Sequence, residues 1–230
     1  MSLLYGNLQQ EMNFPSTTNM VAYYRMENAN DSFGTNNGTA TNMVFNISGM
    51  KGNAGEWANN NRRIDVPSSD TLKIGSGYTI SLWCYIYNFS GSTNAVDFLI
   101  AKGTFPYNYR IHTEGSKYFT FYAHLNGTAR YISSTNNVIN KWYNIIARLN
   151  PVSGNTTSGM SLFTNGVISQ NTSYIGYPSV TDAGLGIGNL YGANTYTTSG
   201  LIDEVAIWKR VLSDEECLNI YNNGIGTYLA

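Results

Sequence analysis

The stretch YTISLWCYIYNF, residues 78–89, places the strongest constraint on the fold of this chain. If the stretch is extended, alternate side chains point to opposite faces. One face then carries Ile80, Leu82, Cys84 and Ile86, and the other carries Trp83, Tyr85 and Tyr87. A strand that is apolar on both faces is typical of the centre of a sheet that is covered on both sides. The stretch therefore predicts a central strand in a layered β structure.

Shorter stretches of alternating character recur at residues 20–26, 118–125, 141–149 and 160–169. Clusters of Gly, Asn, Ser and Asp separate them, and Asn165-Gly166 is a strong signal for a two-residue hairpin turn. The chain has 230 residues with 23 Gly and 18 Tyr, which suits a single domain of short strands and tight turns. We predict an all-β sandwich at residues 20–230, preceded by an N-terminal arm at residues 1–19.

A short helix is predicted near the C-terminus, where residues 213–224 read SDEECLNIYNNG. Ser213 followed three residues later by Glu216 is the pattern of a capping box, and Leu212 with Cys217 suits a hydrophobic staple. Acidic side chains in the first turn oppose the positive end of the helix dipole. The acids at positions 214–216 therefore have a structural explanation.

Charged residues make up 12% of the chain, and the formal net charge is −1 at pH 7. This balance gives no electrostatic reason to expect nucleic acid or a membrane as a partner. No stretch approaches the length of a membrane span, and the start, MSLLYGNLQQEM, lacks the features of a signal peptide. Two Cys are too few for a zinc cluster, and Cys84 and Cys217 are compatible with either one disulfide or two buried thiols.

Several blocks of the sequence occur in the order known from one family. They are MVAYYRMENANDSFGTNNGT (20–39), RRIDVPSSDTLKIGSGYTISLWCYI (62–86), LIAKG (99–103), NKWYNIIARL (140–149), LFTNGV (162–167), LGIGN (185–189) and GLIDEVAIWKRVLSDEE (200–216). This series resembles the LamG-like, concanavalin A-like jelly-roll domains, in their broad bacterial and viral branch. The resemblance implies a jelly-roll β-sandwich of two antiparallel sheets, with the short C-terminal helix against an edge or end of the sandwich.

Catalytic relatives with this fold carry closely spaced carboxylates on one strand, in the pattern Glu-x-Asp-x-(x)-Glu, and this pattern is absent here. Asp203 and Glu204 are adjacent, so regular alternation points them to opposite faces. The histidines, His112 and His124, are interpreted as strand residues whose rings have hydrogen-bond partners. We therefore predict a protein that is not an enzyme, with a glycoside hydrolase as one alternative.

The resemblance also suggests a metal site. In related jelly rolls, an Asp at the position of Asp203 in the last strand helps to hold a structural calcium ion. Asp31, in the turn after the first strand, is the second candidate ligand, and Ca²⁺ prefers oxygen ligands of this kind. The alternative is that Asp203 accepts hydrogen bonds from backbone N–H groups and that Asp31 forms an Asx-turn.

Tyrosines in the loop-like stretches are the candidate contacts for a glycan or a protein partner, because Tyr combines an apolar ring with a hydroxyl group. They are Tyr107, Tyr109, Tyr174, Tyr177, Tyr191 and Tyr196. The alternative for each is a Tyr that caps the core and leaves its hydroxyl in water.

These observations led us to expect a binding or structural module. Our first hypothesis is a component of a viral or phage particle, made in the host cytoplasm, with the arm at 1–19 docked on a capsid, tail or fibre protein. The sandwich would then contact a host glycan or another subunit, and a homo-oligomer is compatible with this role. The main alternative is a secreted or cell-surface lectin module.

Overall fold

Alternating apolar residues form fifteen strands in the part of the chain that the structure describes. The structure is a computed structural model that describes residues 13–58, 61–89, 96–114, 118–135, 137–151, 158–174, 176–194 and 199–229. The strands are β1 (Met20–Tyr24), β2 (Thr39–Thr41), β3 (Val44–Ser48), β4 (Asn53–Trp57), β5 (Arg63–Val66), β6 (Tyr78–Asn88), β7 (Val96–Lys102), β8 (Tyr109–Glu114), β9 (Tyr118–Leu125), β10 (Thr128–Ser133), β11 (Trp142–Asn150), β12 (Ser158–Thr164), β13 (Val167–Tyr174), β14 (Leu185–Ile187) and β15 (Ser199–Trp208). One helix follows, α1 (Asp214–Tyr221), and it continues into a 3-10 turn at Asn222–Gly224.

The strands form two antiparallel sheets, which confirms the predicted all-β jelly-roll sandwich. The eight-stranded sheet has the order β13-β12-β11-β6-β15-β4-β3, and β1 also pairs with β15. The seven-stranded sheet has the order β10-β9-β8-β7-β14-β5-β2. The predicted central strand is β6, which lies between β11 and β15.

The core lies between the two sheets. From β6, Ile80, Leu82, Cys84 and Ile86 are fully buried in it. The seven-stranded sheet contributes side chains such as Ile111 and Phe121 from the opposite side. Burial of such apolar surface stabilises the fold by about 25 cal/mol per Å². Both cysteines are buried free thiols, as one of the two sequence interpretations proposed.

The hairpin predicted at Asn165-Gly166 is confirmed. Thr164 of β12 pairs with Val167 of β13. Asn165 has φ 50° and Gly166 has φ 75°, as a type I′ turn requires of its two central residues.

The predicted helix is also confirmed, together with its capping box. The Ser213 hydroxyl accepts the Glu216 N–H at 3.1 Å, and the Glu216 carboxylate accepts the Ser213 N–H at 2.8 Å. Glu216 also forms an ion pair with Arg210 at 2.6 Å.

The position of α1 differs from the expectation of an edge or an end. The helix covers the outer side of the eight-stranded sheet. Strands β11, β12 and β15 present apolar side chains on this side, and packing against the helix removes their apolar surface from water. The resulting outer cluster contains Met20, Tyr23, Ile146, Phe163, Ala206, Trp208, Leu212, Cys217 and Ile220. Among the described residues, no helix is long and apolar enough to cross a membrane.

Residues 13–19, which the sequence assigned to an arm, pack on this same side. Phe14 lies 5.7 Å from the ring of Tyr23 and 5.8 Å from that of Trp208, centroid to centroid. The Trp208 indole N–H donates to the Ser16 carbonyl at 3.2 Å. The first twelve residues lie outside the described part of the chain.

Candidate functional site

The outer side of the seven-stranded sheet is the candidate site, because no helix of the described chain covers it and several aromatic rings lie on it. Strand alternation places them there. In β8, Tyr109 and Ile111 point into the core, so Arg110, His112 and Glu114 point outward. In the register of the sheet, Arg110 is opposite Tyr122, and Tyr122 is opposite Tyr131 of β10. These three side chains therefore form one row across three strands.

Arg110 lies among three aromatic rings. Its guanidinium carbon is 4.0 Å from the ring centroid of Tyr122, 4.7 Å from that of Tyr107 and 5.3 Å from that of Phe98. These distances are within the range of cation–π attraction. Tyr107 belongs to the loop between β7 and β8, so this loop folds back over the outer side of the sheet.

His124 fixes the same loop. Its Nδ1 accepts the backbone N–H of Tyr107 at 2.9 Å. The centroid of the exposed Phe105 ring lies 4.5 Å from that of the imidazole, and the two rings are perpendicular. Burial lowers the pKa of His124 and lowers that of His112 to about 4. Both imidazoles are consequently neutral at pH 7. The predicted partner exists for His124. In His112, Nε2 lies 3.8 Å from a carboxylate oxygen of Glu114, and Nδ1 has no hydrogen-bond partner among the described residues.

We use the term aromatic face for the surface formed by Phe105, Tyr107, Arg110, Tyr118, Tyr122, His124 and Tyr131. Three of its rings are exposed to solvent, Phe105 at 74%, Tyr131 at 58% and Tyr118 at 42%. These rings lie next to the guanidinium of Arg110 and the carboxylate of Glu114. One ligand could therefore stack on a ring and form hydrogen bonds with a charged group. Such a surface can bind a ligand that has both C–H faces and hydroxyl groups.

The structure brings two of the six predicted tyrosines to this side of the sheet. Tyr107 is part of the aromatic face. Tyr191, which is 37% exposed, lies over the outer side of β14: a Cβ built on Gly184 would be 2.2 Å from its ring. Tyr177 is 45% exposed and lies beside the β9–β10 turn, where its carbonyl accepts the Asn126 N–H at 2.9 Å. Contact of these three with a ligand stays a prediction.

The prediction for Tyr109 was wrong. The sequence placed it in a loop, but β8 begins at this residue and turns its side chain into the core, where it is fully buried 5.4 Å from the ring of Tyr78. Tyr174 is half-buried, and its hydroxyl donates to the Tyr131 carbonyl at 2.8 Å, which indicates a structural role. Tyr196 lies outside the described residues.

The sequence interpretation missed most of the aromatic face, because it searched the loops for exposed rings. A signal was present in YFTFYAHL. In this strand Phe119, Phe121, Ala123 and Leu125 alternate with Tyr118, Thr120, Tyr122 and His124, and the second set is the one that faces outward.

Asp203 and Glu204 do not point to opposite faces as predicted. Both neighbours, Ile202 and Val205, are in the core, so the two acids between them turn to the outer side of the eight-stranded sheet. A β-bulge causes this, since the register with β6 shifts between Asp203 and Ala206 and Glu204 has φ 51°. An extra residue in one strand breaks the strict alternation.

The two carboxylates predicted to hold calcium accept hydrogen bonds from backbone N–H groups. Asp31 accepts the N–H groups of Tyr23, Phe33, Gly34 and Asn36 at 2.9–3.0 Å. Asp203 accepts those of Met50, Lys51 and Glu204 at 2.7, 3.1 and 2.9 Å. N–H groups at these oxygens do not fit a cation between them, and the described residues contain no group of three His, Cys, Asp or Glu side chains that could hold a metal ion. Calcium binding stays an untested prediction.

The carboxylates on the outer side of the seven-stranded sheet do not form a pair. Asp65 of β5 and Glu114 of β8 are three strands apart in the sheet order, about 14 Å at the usual strand spacing. Glycosidases that use two carboxylates hold them about 5–9.5 Å apart. Asp65 also forms an ion pair with Arg63 at 2.7 Å. This spacing does not fit the two-carboxylate mechanism.

Comparison with known families and structures agrees with this architecture. A family model described as the concanavalin A-like lectin/glucanases superfamily matches residues 58–217. The binding domain of Paraclostridial Mosquitocidal Protein 1 has a TM-score of 0.70 at 15% identity, over 90% of this chain and 52% of that one. The binding domain of Botulinum Neurotoxin DC in complex with SialylT has a TM-score of 0.68 at 12% identity, over 90% of this chain and 51% of that one.

A third similar structure is domain 4 of AbnA, an extracellular arabinanase of family GH43 from Geobacillus stearothermophilus, in complex with arabinotriose. It has a TM-score of 0.63 at 17% identity, over 90% of this chain and 98% of that domain. The chain thus spans about half the length of the toxin binding domains but nearly all of the arabinanase domain. No curated protein matches it in sequence, and identities this low show the fold alone.

Proposed function

We propose that this chain, which belongs to the concanavalin A-like lectin/glucanase superfamily, is a glycan-binding module that uses its aromatic face. The observation that carries the proposal is the row Arg110–Tyr122–Tyr131 with the loop of Phe105 and Tyr107 folded over it. Exposed rings supply stacking surfaces for the C–H faces of sugars, and the polar groups between them can bind hydroxyl groups.

The comparisons support a binding role without defining its ligand. The arabinanase domain was solved in complex with arabinotriose, and the binding domain of Botulinum neurotoxin DC was solved in one structure with SialylT and in another with rat synaptotagmin II. Sugar and protein ligands are both compatible with the fold, and the exposed rings beside hydroxyl and charged groups favour a sugar here.

The viral or phage particle role stays a prediction, as do the virion location, the particle partners and a homo-oligomer. One of its motivations, beside the family resemblance, was the arm at 1–19, of which residues 13–19 pack on the sandwich itself. A secreted or cell-surface lectin uses the same aromatic face, so the proposed binding does not depend on the location. The separation of Asp65 and Glu114 gives no support to a glycoside hydrolase that would act on the aromatic face.

Removal of one exposed ring tests the proposal. We expect Tyr131→Ala to weaken glycan binding by about tenfold, because a stacked aromatic contact contributes on the order of 1 kcal/mol beyond its buried area. The melting temperature should change little, because surface substitutions away from special features usually stay within about 0.5 kcal/mol. Binding is measured on a glycan array and then by isothermal titration calorimetry with the best ligand.

Phe33→Ala is the matched control. Phe33 is a similarly exposed ring, at 41%, and it lies in the loop that Asp31 anchors, away from the aromatic face. Its removal should leave glycan binding unchanged. An array without any bound glycan, or equal losses in the two variants, would contradict the proposal.

A further inference from the structure

Arg110 differs from most arginines of the described chain in having no acidic partner. Arg62, Arg63, Arg148 and Arg210 each form an ion pair with an Asp or a Glu. Arg110 forms none with a described residue, and its buried Nε has no hydrogen-bond partner among those residues either. Its positive charge therefore lies against aromatic rings, and the Glu114 carboxylate adds an attraction over a longer distance than an ion pair.

The surroundings hold this charge in place and partly exclude water from it. The three rings of Phe98, Tyr107 and Tyr122 lie within 5.3 Å of the guanidinium carbon. Burial lowers the pKa of Arg110, an effect that Tyr107 and Tyr122 partly offset. Arginine still stays protonated at any physiological pH, so the aromatic face displays a rigid, partly desolvated cation.

The nearest acid on the face, Glu114, is already engaged. It lies four residues further along β8, forms no ion pair with Arg110, and attracts the guanidinium from a longer distance. Its carboxylate accepts the Thr120 hydroxyl at 3.2 Å and lies 3.8 Å from Nε2 of His112. An external anion can therefore pair with Arg110 without breaking an ion pair between Arg110 and a described residue.

We propose that the aromatic face selects acidic saccharides, with a sugar carboxylate or sulfate paired to the guanidinium of Arg110 and the sugar ring stacked on Tyr122, Tyr131 or Phe105. This inference rests on the proposed glycan-binding function and adds the charge of the ligand. The planar guanidinium matches the two oxygens of a carboxylate or sulfate, and charge-assisted pairs of this kind are about twice as strong as neutral hydrogen bonds.

The charge pattern favours a saccharide over a nucleic acid. Affinity for nucleic acid comes from several cations that neutralise successive phosphates. The aromatic face carries Arg110 with Glu114 nearby, and the chain as a whole has a net charge of −1. One fixed cation between stacking rings suits a ligand that presents one acidic group per one or two sugar units.

The test uses saccharides in matched pairs on an array, each uronic acid oligosaccharide beside its neutral methyl ester and each sulfated one beside its desulfated form. The best pair is then titrated with the whole chain by calorimetry. We expect the acidic member to bind about tenfold more tightly than its neutral partner at low salt. Arg110→Gln should remove this preference, so that the acidic and neutral members of a pair bind about equally, and higher salt should reduce the preference in the wild type. The two kinds of pair show whether carboxylate or sulfate is the group bound.

Arg130→Gln is the matched control. Arg130 is also half-buried, also lies over a tyrosine ring, 5.2 Å from that of Tyr174, and also has a buried Nε without a described partner. It is opposite Ala123, a core residue, so it is not part of the aromatic face. Its substitution should leave the preference for acidic members intact.

The results separate the two proposals. Equal binding of acidic and neutral members, or a preference that survives Arg110→Gln, would overturn the role of Arg110 and leave glycan binding in place. Absence of binding to every saccharide, with both variants folded, would overturn the glycan-binding function itself. The melting temperature of Arg110→Gln shows whether this variant folds. If it does not, Arg110→Lys is the second variant, because lysine keeps the positive charge but lacks the planar guanidinium. We expect Arg110→Lys to retain a reduced but measurable preference for the acidic member.

Discussion

Lowering the pH from about 8.5 to about 6.5 is expected to raise the free energy of unfolding of the wild-type protein by about 2 kcal/mol more than that of Glu204→Gln. Burial raises the pKa of Glu204 to about 8, whereas a glutamate in an unfolded chain has a pKa of about 4.3. Between these two values the folded protein keeps a proton that the unfolded chain has lost. Stability is therefore highest at the acidic end and is lost as the pH rises through the folded pKa.

The surroundings of Glu204 explain this burial. Its side chain is only 4% exposed, and its carboxylate accepts a hydrogen bond from the hydroxyl of Tyr23. It borders a cavity of about 270 Å³, lined also by Arg25, Glu27, Lys51, Gly52 and Leu229. The charges of Arg25 and Lys51 do not form an ion pair with it, so deprotonation leaves a poorly compensated anion beside the outer cluster.

Urea denaturation at a series of pH values measures the effect. Asp203 has a pKa raised to about 7, mainly by burial, and His112 has one lowered to about 4. Both change the pH profile, but they do so equally in the wild type and in Glu204→Gln, so the difference between the two profiles reports Glu204. Glu215→Gln, on the exposed side of α1, is the control and should keep the wild-type slope. A Glu204→Gln profile parallel to that of the wild type would show that Glu204 is ionised in the folded protein throughout this range.

Gly188→Ala is expected to destabilise the protein by about 4 kcal/mol. Gly188 has φ 73°, a left-handed conformation that costs a residue with a Cβ about 1–2 kcal/mol. The new Cβ would also be 1.8 Å from Nε1 of the fully buried Trp57. Overpacking of a well-filled site costs a further 1–3 kcal/mol, roughly. The expected result is a much lower midpoint of urea denaturation.

Gly127→Ala isolates the conformational part of this effect. Gly127 has φ 79° in the β9–β10 turn, and a Cβ there would meet no atom within 4 Å. Its substitution should cost only about 1–2 kcal/mol. In a double variant, Trp57→Phe removes the indole nitrogen and should recover part of the loss caused by Gly188→Ala. Equal losses for the two glycine substitutions would show that Trp57 does not restrict residue 188.

The sequence predicted those parts of the fold that depend on local rules. The apolar pattern on both faces of residues 78–89 indicated a central strand, Asn165-Gly166 indicated a hairpin, and Ser213 with Glu216 indicated the start of a helix. Each of these depends on residues a few positions apart, so a single sequence is sufficient to recognise them. The order of the family blocks supplied the sandwich architecture.

The candidate site depends on contacts between strands, and these were not predicted. The three rings around Arg110 come from β7, from the following loop and from β9, and their meeting depends on the register of three strands. The bulge at Asp203 and Glu204 left no signal in the local pattern, because alternation through GLIDEVAIW is plausible without it. Because β8 begins at Tyr109, the side chain of Tyr109 faces the core and that of Arg110 faces outward. A shift of one residue would exchange the two faces.

The packing of residues 13–19 and of Leu229 on the outer cluster has a further consequence for how the module can be displayed. Phe14, near one end of the described chain, and Leu229, near the other, both pack against the outer side of the eight-stranded sheet. The aromatic face is on the opposite side of the sandwich. A carrier protein, a bead or a sensor surface joined directly after Leu229 would therefore start behind the module, and the rings would point away from it toward the medium. Multivalent arrays built through this end should accordingly need no reorientation to present their aromatic faces.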